Sequence, residues 1–258
     1  MSKSATTKNK PIEIRKAEVG DLRHALAQGW SDFRAAPQFG LFFGAIFAIG
    51  GLLLTWLAFE LGLSWMAYPF VIGFALIGPF IATGLYEVSR RLQVEKSLEW
   101  RSILLVIFEQ HRRELGWMAF VTLFIFWIWT YQIRTLVAVF FGSKGFATFD
   151  GFLTAVFTTE TGFYFLLTGH AVGAVISLVL FSITVISCPL LLDRDLDFVS
   201  AMLISIKTVI TSPFVMLGWG VFVVLVVLLS AVPAFAGLLL SLPILGHATW
   251  HLYKRLLV

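Results

Sequence analysis

The sequence predicts an all-α polytopic membrane protein: six transmembrane helices arranged as three hairpins, each preceded by a cytoplasmic interfacial amphipathic helix. Three observations predict it. Of 258 residues, 59% are hydrophobic and 13% charged, against roughly 45–50% and about 25% in soluble domains. The charges are bunched, and the gaps between bunches are long enough to cross a bilayer. An acidic start, an apolar face and a proline recur in the same order along the chain. This composition excludes a soluble enzyme and a disordered chain. A disulfide scaffold is excluded as well, because Cys188 is the lone cysteine.

The spans follow from the gaps. No Asp, Glu, Lys or Arg occurs in Ala35–Phe59, Leu61–Tyr86, Leu115–Ile133, Thr161–Leu192 or Thr208–Tyr253. About 20 apolar residues cross a ~30 Å hydrocarbon core, so the first four gaps hold one helix each. The last holds two, with Pro233 marking the turn, since proline disfavours helix in the residue before it. The expected spans lie near 39–59, 66–87, 115–137, 169–191, 213–231 and 234–253. They form a single integral membrane domain, 12–258, behind a disordered cytoplasmic tail, 1–11. A β-barrel would show short alternating segments, and none of these runs alternates.

Lysine and arginine set the orientation. Of the 19 basic residues, all but Arg134 and Lys144 fall before Pro37, between Arg90 and Arg113, at Arg194 and Lys207, or at Lys254 and Arg255. That bias places both termini in the cytoplasm. The net charge of +4 is then a matter of topology and attraction to lipid headgroups, and no nucleic-acid partner is expected. The N-terminal region is basic and polar, without the apolar core of a signal peptide.

The repeat is read by shifting the chain against itself. Asp21-Leu22, Ala25-Leu26, Pro37 and Gly44 coincide with Asp197-Phe198, Ala201-Met202, Pro213 and Gly220. A weaker third copy starts at Glu99-Trp100 and runs through Ile103, Leu104, Ile107 and Phe108 to Gly116-Trp117. In the first copy, Leu22, Ala25, Leu26, Gly29, Trp30 and Phe33 share one helical face, with Arg23, His24, Gln28 and Asp32 opposite. Such a helix lies in the interface with its apolar face down. Pro37 and Pro213 occupy the first turn of the following span, where a missing N–H is tolerated.

Few residues carry chemistry. No charged residue sits at the centre of an expected span, which argues against a proton-coupled carrier or ion pump. Glu60 and Glu160 lie near outer span ends and Glu87 near an inner one. His247 and His251 are four residues apart and share a helix face, as in a metal-binding pair. A third ligand would have to come from Asp193, Asp195 or Asp197, because His170 is assigned near the outer end of its helix. The plainer reading makes the two histidines interfacial hydrogen-bonding groups beside Trp250 and Tyr253. Asp193, Asp195 and Asp197 could hold Mg²⁺ for a phosphate-bearing lipid; the plainer reading is a helix stop followed by an N-cap. Gly40/Gly44 and Gly169/Gly173 have the spacing of close helix contacts. No phosphate-binding loop, nucleophile elbow, zinc-protease motif or C-x-x-C is present.

The stretches Ser187–Asp195 and Leu242–Tyr253, together with Pro37 to Gly44, resemble a bacterial family of uncharacterised predicted integral membrane proteins, some of whose members carry the label cytochrome c oxidase subunit I. The likeness runs across most of the chain after about Ile12. It implies a bacterial membrane location and no established activity or site. The oxidase label does not follow, since two haems and copper need more intramembrane histidines than these five in all. The expectation is therefore a non-enzymatic inner-membrane protein, an accessory, assembly or scaffold component. It would require no cofactor, and its partners would be the bilayer and other membrane proteins, a respiratory complex among them. Two alternatives stand beside it: a small transporter or channel for an apolar or lipid-like substrate, and a haem- or metal-binding redox helper built on His247 and His251.

Overall fold

A computed structural model describes residues 12–59, 82–106, 112–142 and 149–258. The helices are α1 (Val19–Ala35), α2 (Pro37–Phe59), α3 (82–93), α4 (Trp100–Leu105), α5 (Arg112–Phe141), α6 (Phe149–Thr158), α7 (Glu160–Thr184), α8 (Ser187–Asp193), α9 (Phe198–Thr211), α10 (Pro213–Ala231) and α11 (Leu238–Leu256). Among the described residues there is no strand, only an isolated bridge between Ile14 and Leu257. The expected tail 1–11, Glu60 and most of the expected span 66–87 lie outside the described residues, as does much of the third lead-in after Val106.

Among the described residues, four segments are long and apolar enough to cross a membrane: Pro37–Trp56, Glu114–Phe141, Glu160–Asp193 and Pro213–Ala231. They correspond to four of the six expected spans. The one expected at 169–191 starts earlier, at Glu160, and is broken at 185–186 between α7 and α8. Pro189 explains the break, since it offers no N–H to the carbonyl of Val185 and its ring crowds that turn. Ser205 Oγ accepts the freed Ile186 N–H at 3.1 Å. The span expected at 234–253 is displaced: a turn with positive φ at Ala234 and Phe235 delays α11 to Leu238. His247, His251, Lys254 and Arg255 make α11 too polar to stand among the four.

The repeat survives in three dimensions. Ala36, between α1 and α2, has φ −138° and ψ 55°; Ser212, between α9 and α10, has φ −142° and ψ 62°. Each is followed by a proline that opens the next helix. The buried face also repeats, with Ala25, Gly29, Asp32, Phe33 and Ala36 matching Ala201, Ser205, Thr208, Val209 and Ser212. Ala25, Gly29 and Phe33 belong to the face expected to be apolar, and two positions depart from that expectation: Asp32, assigned to the solvent side, is buried, whereas Trp30 is 45% exposed. In a membrane protein the small and polar side of a helix turns to protein, and lipid takes the bulky apolar side. On α9 the outward residues are Val199, Leu203 and Ile210.

Helix α11 is the hub. A Cβ on Gly29 of α1 would stand 2.6 Å from the Ile244 carbonyl oxygen and 2.7 Å from the Ala248 nitrogen. One on Gly44 of α2 would stand 2.9 Å from Leu239 Cα. Glycine is thus required where α1 and α2 meet the α11 backbone, the close approach that small residues permit. The chain ends close the same face: Arg15 N–H donates to the Leu256 carbonyl at 2.9 Å, and Val258 N–H donates to Glu13 at 3.1 Å.

Candidate functional site

Many polar residues of this chain converge at the end of the bundle where residues 13–15 pair with residues 256–258. Helices α3 and α11 run side by side there with matching registers. Ser89 Oγ lies 2.7 Å from His247 Nδ1, and one turn on, Gln93 Nε2 lies 3.2 Å from His251 Nδ1. Two i, i+4 pairs therefore face each other, rung for rung.

The second rung has a defined direction. Trp250 Nε1–H can only donate, and it does so to Gln93 Oε1 at 3.1 Å. That turns the Gln93 amide nitrogen to His251 Nδ1, which must then accept. His251 Nε2 carries the hydrogen and donates to Asp32 Oδ2 at 2.7 Å. Each group finds its complement along Trp250–Gln93–His251–Asp32, so α1, α3 and α11 are bonded through one chain of four side chains. The His251–Asp32 end is buried and Gln93 is exposed; a chain whose donors and acceptors match in this way favours one helix arrangement. On the first rung His247 Nε2 is buried without a hydrogen-bond partner.

Ion pairs surround this core. Glu87 is fully buried and accepts from Arg90 Nε at 2.6 Å and Arg91 Nε at 2.6 Å. The Glu87 hydrogen bonds raise the Arg90 pKa above its ordinary value, against the burial that opposes them. Asp21 of α1 receives the Glu18 N–H at 2.9 Å, Arg255 at 2.8 Å and Arg15 at 2.5 Å. Burial pushes its carboxyl up, yet the Glu18 N–H and the two guanidinium groups prevail and hold it below the usual carboxylate range. Asp193, at the end of α8, accepts from Tyr253 Oη at 2.7 Å and Lys254 Nζ at 3.0 Å.

The expected ligands are distributed differently from a metal centre. His247 and His251 do share a face, but their Nδ1 atoms point to Ser89 and Gln93. The acidic run diverges: Asp193 turns to α11, Asp195 is exposed, and Asp197 caps α9 by accepting Ser200 N–H at 2.8 Å. That bond and its neighbouring amides hold the Asp197 carboxyl below its usual range. His170 lies well inside α7 rather than near its end. Glu160 is exposed at the start of α7. Among the described residues, no three His, Cys, Asp or Glu side chains gather around a common point suited to a metal.

Sequence reasoning missed Asp32, Ser89 and Gln93. A signal existed: Ser89 and Gln93 repeat the four-residue spacing of His247 and His251, and Asp21 and Asp32 are three helical turns apart. Neither pattern identifies its partner without the fold.

Residues 67–193, just under half of the chain, match the family described as "Predicted integral membrane protein (DUF2189)". This is thus an integral membrane protein with several apolar helices, and the description of the family it matches assigns no function. The matched stretch contains Ser187 to Asp193, while the likeness noted at Pro37–Gly44 and Leu242–Tyr253 falls outside it. Neither the curated proteins nor the solved structures yield a match.

Proposed function

We propose that this chain is a non-enzymatic membrane protein acting as an accessory, assembly or scaffold component of a larger membrane system. Its setting is a bacterial inner membrane, crossed six times as three hairpins with both termini in the cytoplasm. One observation carries the reading: Asp21, Asp32, Glu87 and Asp193 are each engaged by a cation, imidazole or hydroxyl of this same chain. Groups that in an enzyme would be turned to substrate are here turned to one another. Their effect is to hold α1, α3, α8 and α11 in one rigid face on which another protein can seat. The pairing of residues 13–15 with 256–258 supports a common side for both termini. So does the gathering of Arg15, Arg90, Arg91, Lys254 and Arg255 at that end, as the positive-inside bias requires.

The test is cross-linking of the tagged, full-length chain in native membranes before gentle solubilisation, followed by identification of bound proteins. A stoichiometric membrane-protein partner is the expected result. Recovery of the chain alone, with and without cross-linker, would overturn the reading. For the topology, impermeant thiol labelling of single cysteines in a Cys188→Ser background should modify Lys144→Cys and spare Lys16→Cys in intact cells.

A further inference from the structure

A cavity of about 330 Å³ opens between α5 and α7, lined by Trp129, Gln132, Leu136, Phe165, Gly169 and His170. This is the size of a small-molecule site. Trp129 and Ile176 also line an adjoining cavity of about 170 Å³ that reaches Leu180, so the seam offers room for a head and a tail. The Gly169/Gly173 pair behaves differently at its two positions. A Cβ on Gly173 would strike the Trp129 ring at 2.5 Å, but one on Gly169 would meet nothing nearer than Leu136 at 4.0 Å. Gly173 thus seats the Trp129 ring against α7, and Gly169 keeps the cavity open. Phe165 is held in place by the rings of Phe140, Phe141 and Phe152, with centroids 6.1, 5.2 and 6.2 Å away.

His170 supplies the chemistry. Its Nδ1 lies 2.7 Å from the Leu166 carbonyl oxygen. A carbonyl only accepts, so Nδ1 carries the hydrogen and, in the uncharged ring, Nε2 is left as an acceptor. Among the described residues Nε2 has no partner. Within α7, which runs from Glu160 to Thr184, His170 sits about 15 Å from one end and about 21 Å from the other at 1.5 Å per residue. An acceptor at that depth is costly unless a donor meets it. Acyl chains have no donor to offer, and headgroups do not reach so far.

We propose that this cavity binds a membrane-dissolved aromatic alcohol, a phenol or hydroquinone with an apolar tail. Its ring lies against Trp129 and Phe165, its hydroxyl donates to His170 Nε2, and its tail follows the seam toward Ile176 and Leu180. The flat aromatic walls favour a ring over a plain alkyl alcohol, and the His170 acceptor favours a hydroxyl, which can donate to it, over an ether, which cannot.

The full-length protein in phosphatidylcholine nanodiscs, titrated under argon with radiolabelled decyl-hydroquinone, tests this. Saturable binding of one molecule per chain is expected. The dimethyl ether of the same probe and decanol should each bind at least about tenfold more weakly, the loss expected for one unmatched polar contact or one lost ring. His170→Phe, which keeps the ring but removes the acceptor, and Gly169→Leu, which fills the cavity, should each lower affinity to a similar degree. Phe163→Leu, at an exposed position outside the cavity, should leave it unchanged. Partitioning no greater than into empty nanodiscs would overturn the site. Equal binding of the ether would overturn the hydroxyl contact, and equal binding of decanol the aromatic assignment.

Discussion

Helices α11 and α5 are both long, and the protein treats them in opposite ways. On α11 most positions are enclosed, including His247, Trp250, His251 and Tyr253. On α5 the most apolar stretch has none of its residues buried inside the protein, and Phe120, Phe124, Trp127 and Tyr131 stand more than half or about half exposed. In a soluble domain the more apolar helix would be the inner one. Here lipid solvates the apolar helix, and protein must solvate the polar one, because an unmatched polar group in hydrocarbon costs several kcal/mol. The same contrast sets the tightness of packing: glycines bring α1 and α2 onto the α11 backbone, whereas α5 and α7 leave cavities between them.

That contrast can be broken most forcefully at Gly29. Gly29→Leu drives a side chain into the α11 backbone and should cost about 3 kcal/mol or more, read as loss of monodisperse protein or a large fall in Tm in detergent. Gly116→Leu on α5, where a Cβ meets nothing within 4 Å, should stay within about 0.5 kcal/mol. Next in size is Asp32→Ala, which strips the buried His251 of its acceptor and should cost about 3 kcal/mol. Combined with His251→Ala, the loss should be less than additive in a double-mutant cycle. Equal, additive losses would dissolve the network into separate contacts.

A smaller effect is pH-dependent. The Asp21 carboxyl is held below its ordinary 3.8 in the folded chain. Its contribution is therefore present above about pH 4 and is lost as pH falls through the folded value. Hydrogen exchange of residues 12–18 should accelerate, beyond the intrinsic change, as pH falls below about 4. Asp21→Asn should remove the acid step. The smallest effect is expected on α5: Trp127→Leu, 63% exposed in wild type, should change stability by less than about 1 kcal/mol. A larger loss would show that a protein surface, and not lipid, covers that face.

How far the chain could be read varies with the physics of each part. The apolar spans near 39–59, 115–137 and 213–231 emerge almost at their observed limits, because length and hydropathy alone decide whether a helix can cross. The junctions at Pro37 and Pro213 are equally legible, since proline's fixed φ and missing N–H act locally. The 234–253 span was less so: the turn through Ala234 and Phe235 and the polar character of α11 depend on what encloses it. At the candidate site His247 and His251 were identifiable as a pair, but their partners were not. Asp32 looked like a solvent-facing residue because an amphipathic pattern cannot say which of its faces lipid will take.

Composition, charge spacing and the proline-marked repeat by themselves determined a membrane-embedded helical protein, its basic end and the internal duplication. Each depends on a residue's transfer energy or on backbone constraints within a turn or two. Only the tertiary structure decided that Ser89 meets His247, that Asp32 completes the Trp250–Gln93–His251 chain, and that a cavity rather than a tight contact stands beside Gly169. Those facts arise between segments far apart in sequence, where hydrogen-bond direction and van der Waals clearance are set by how helices pack.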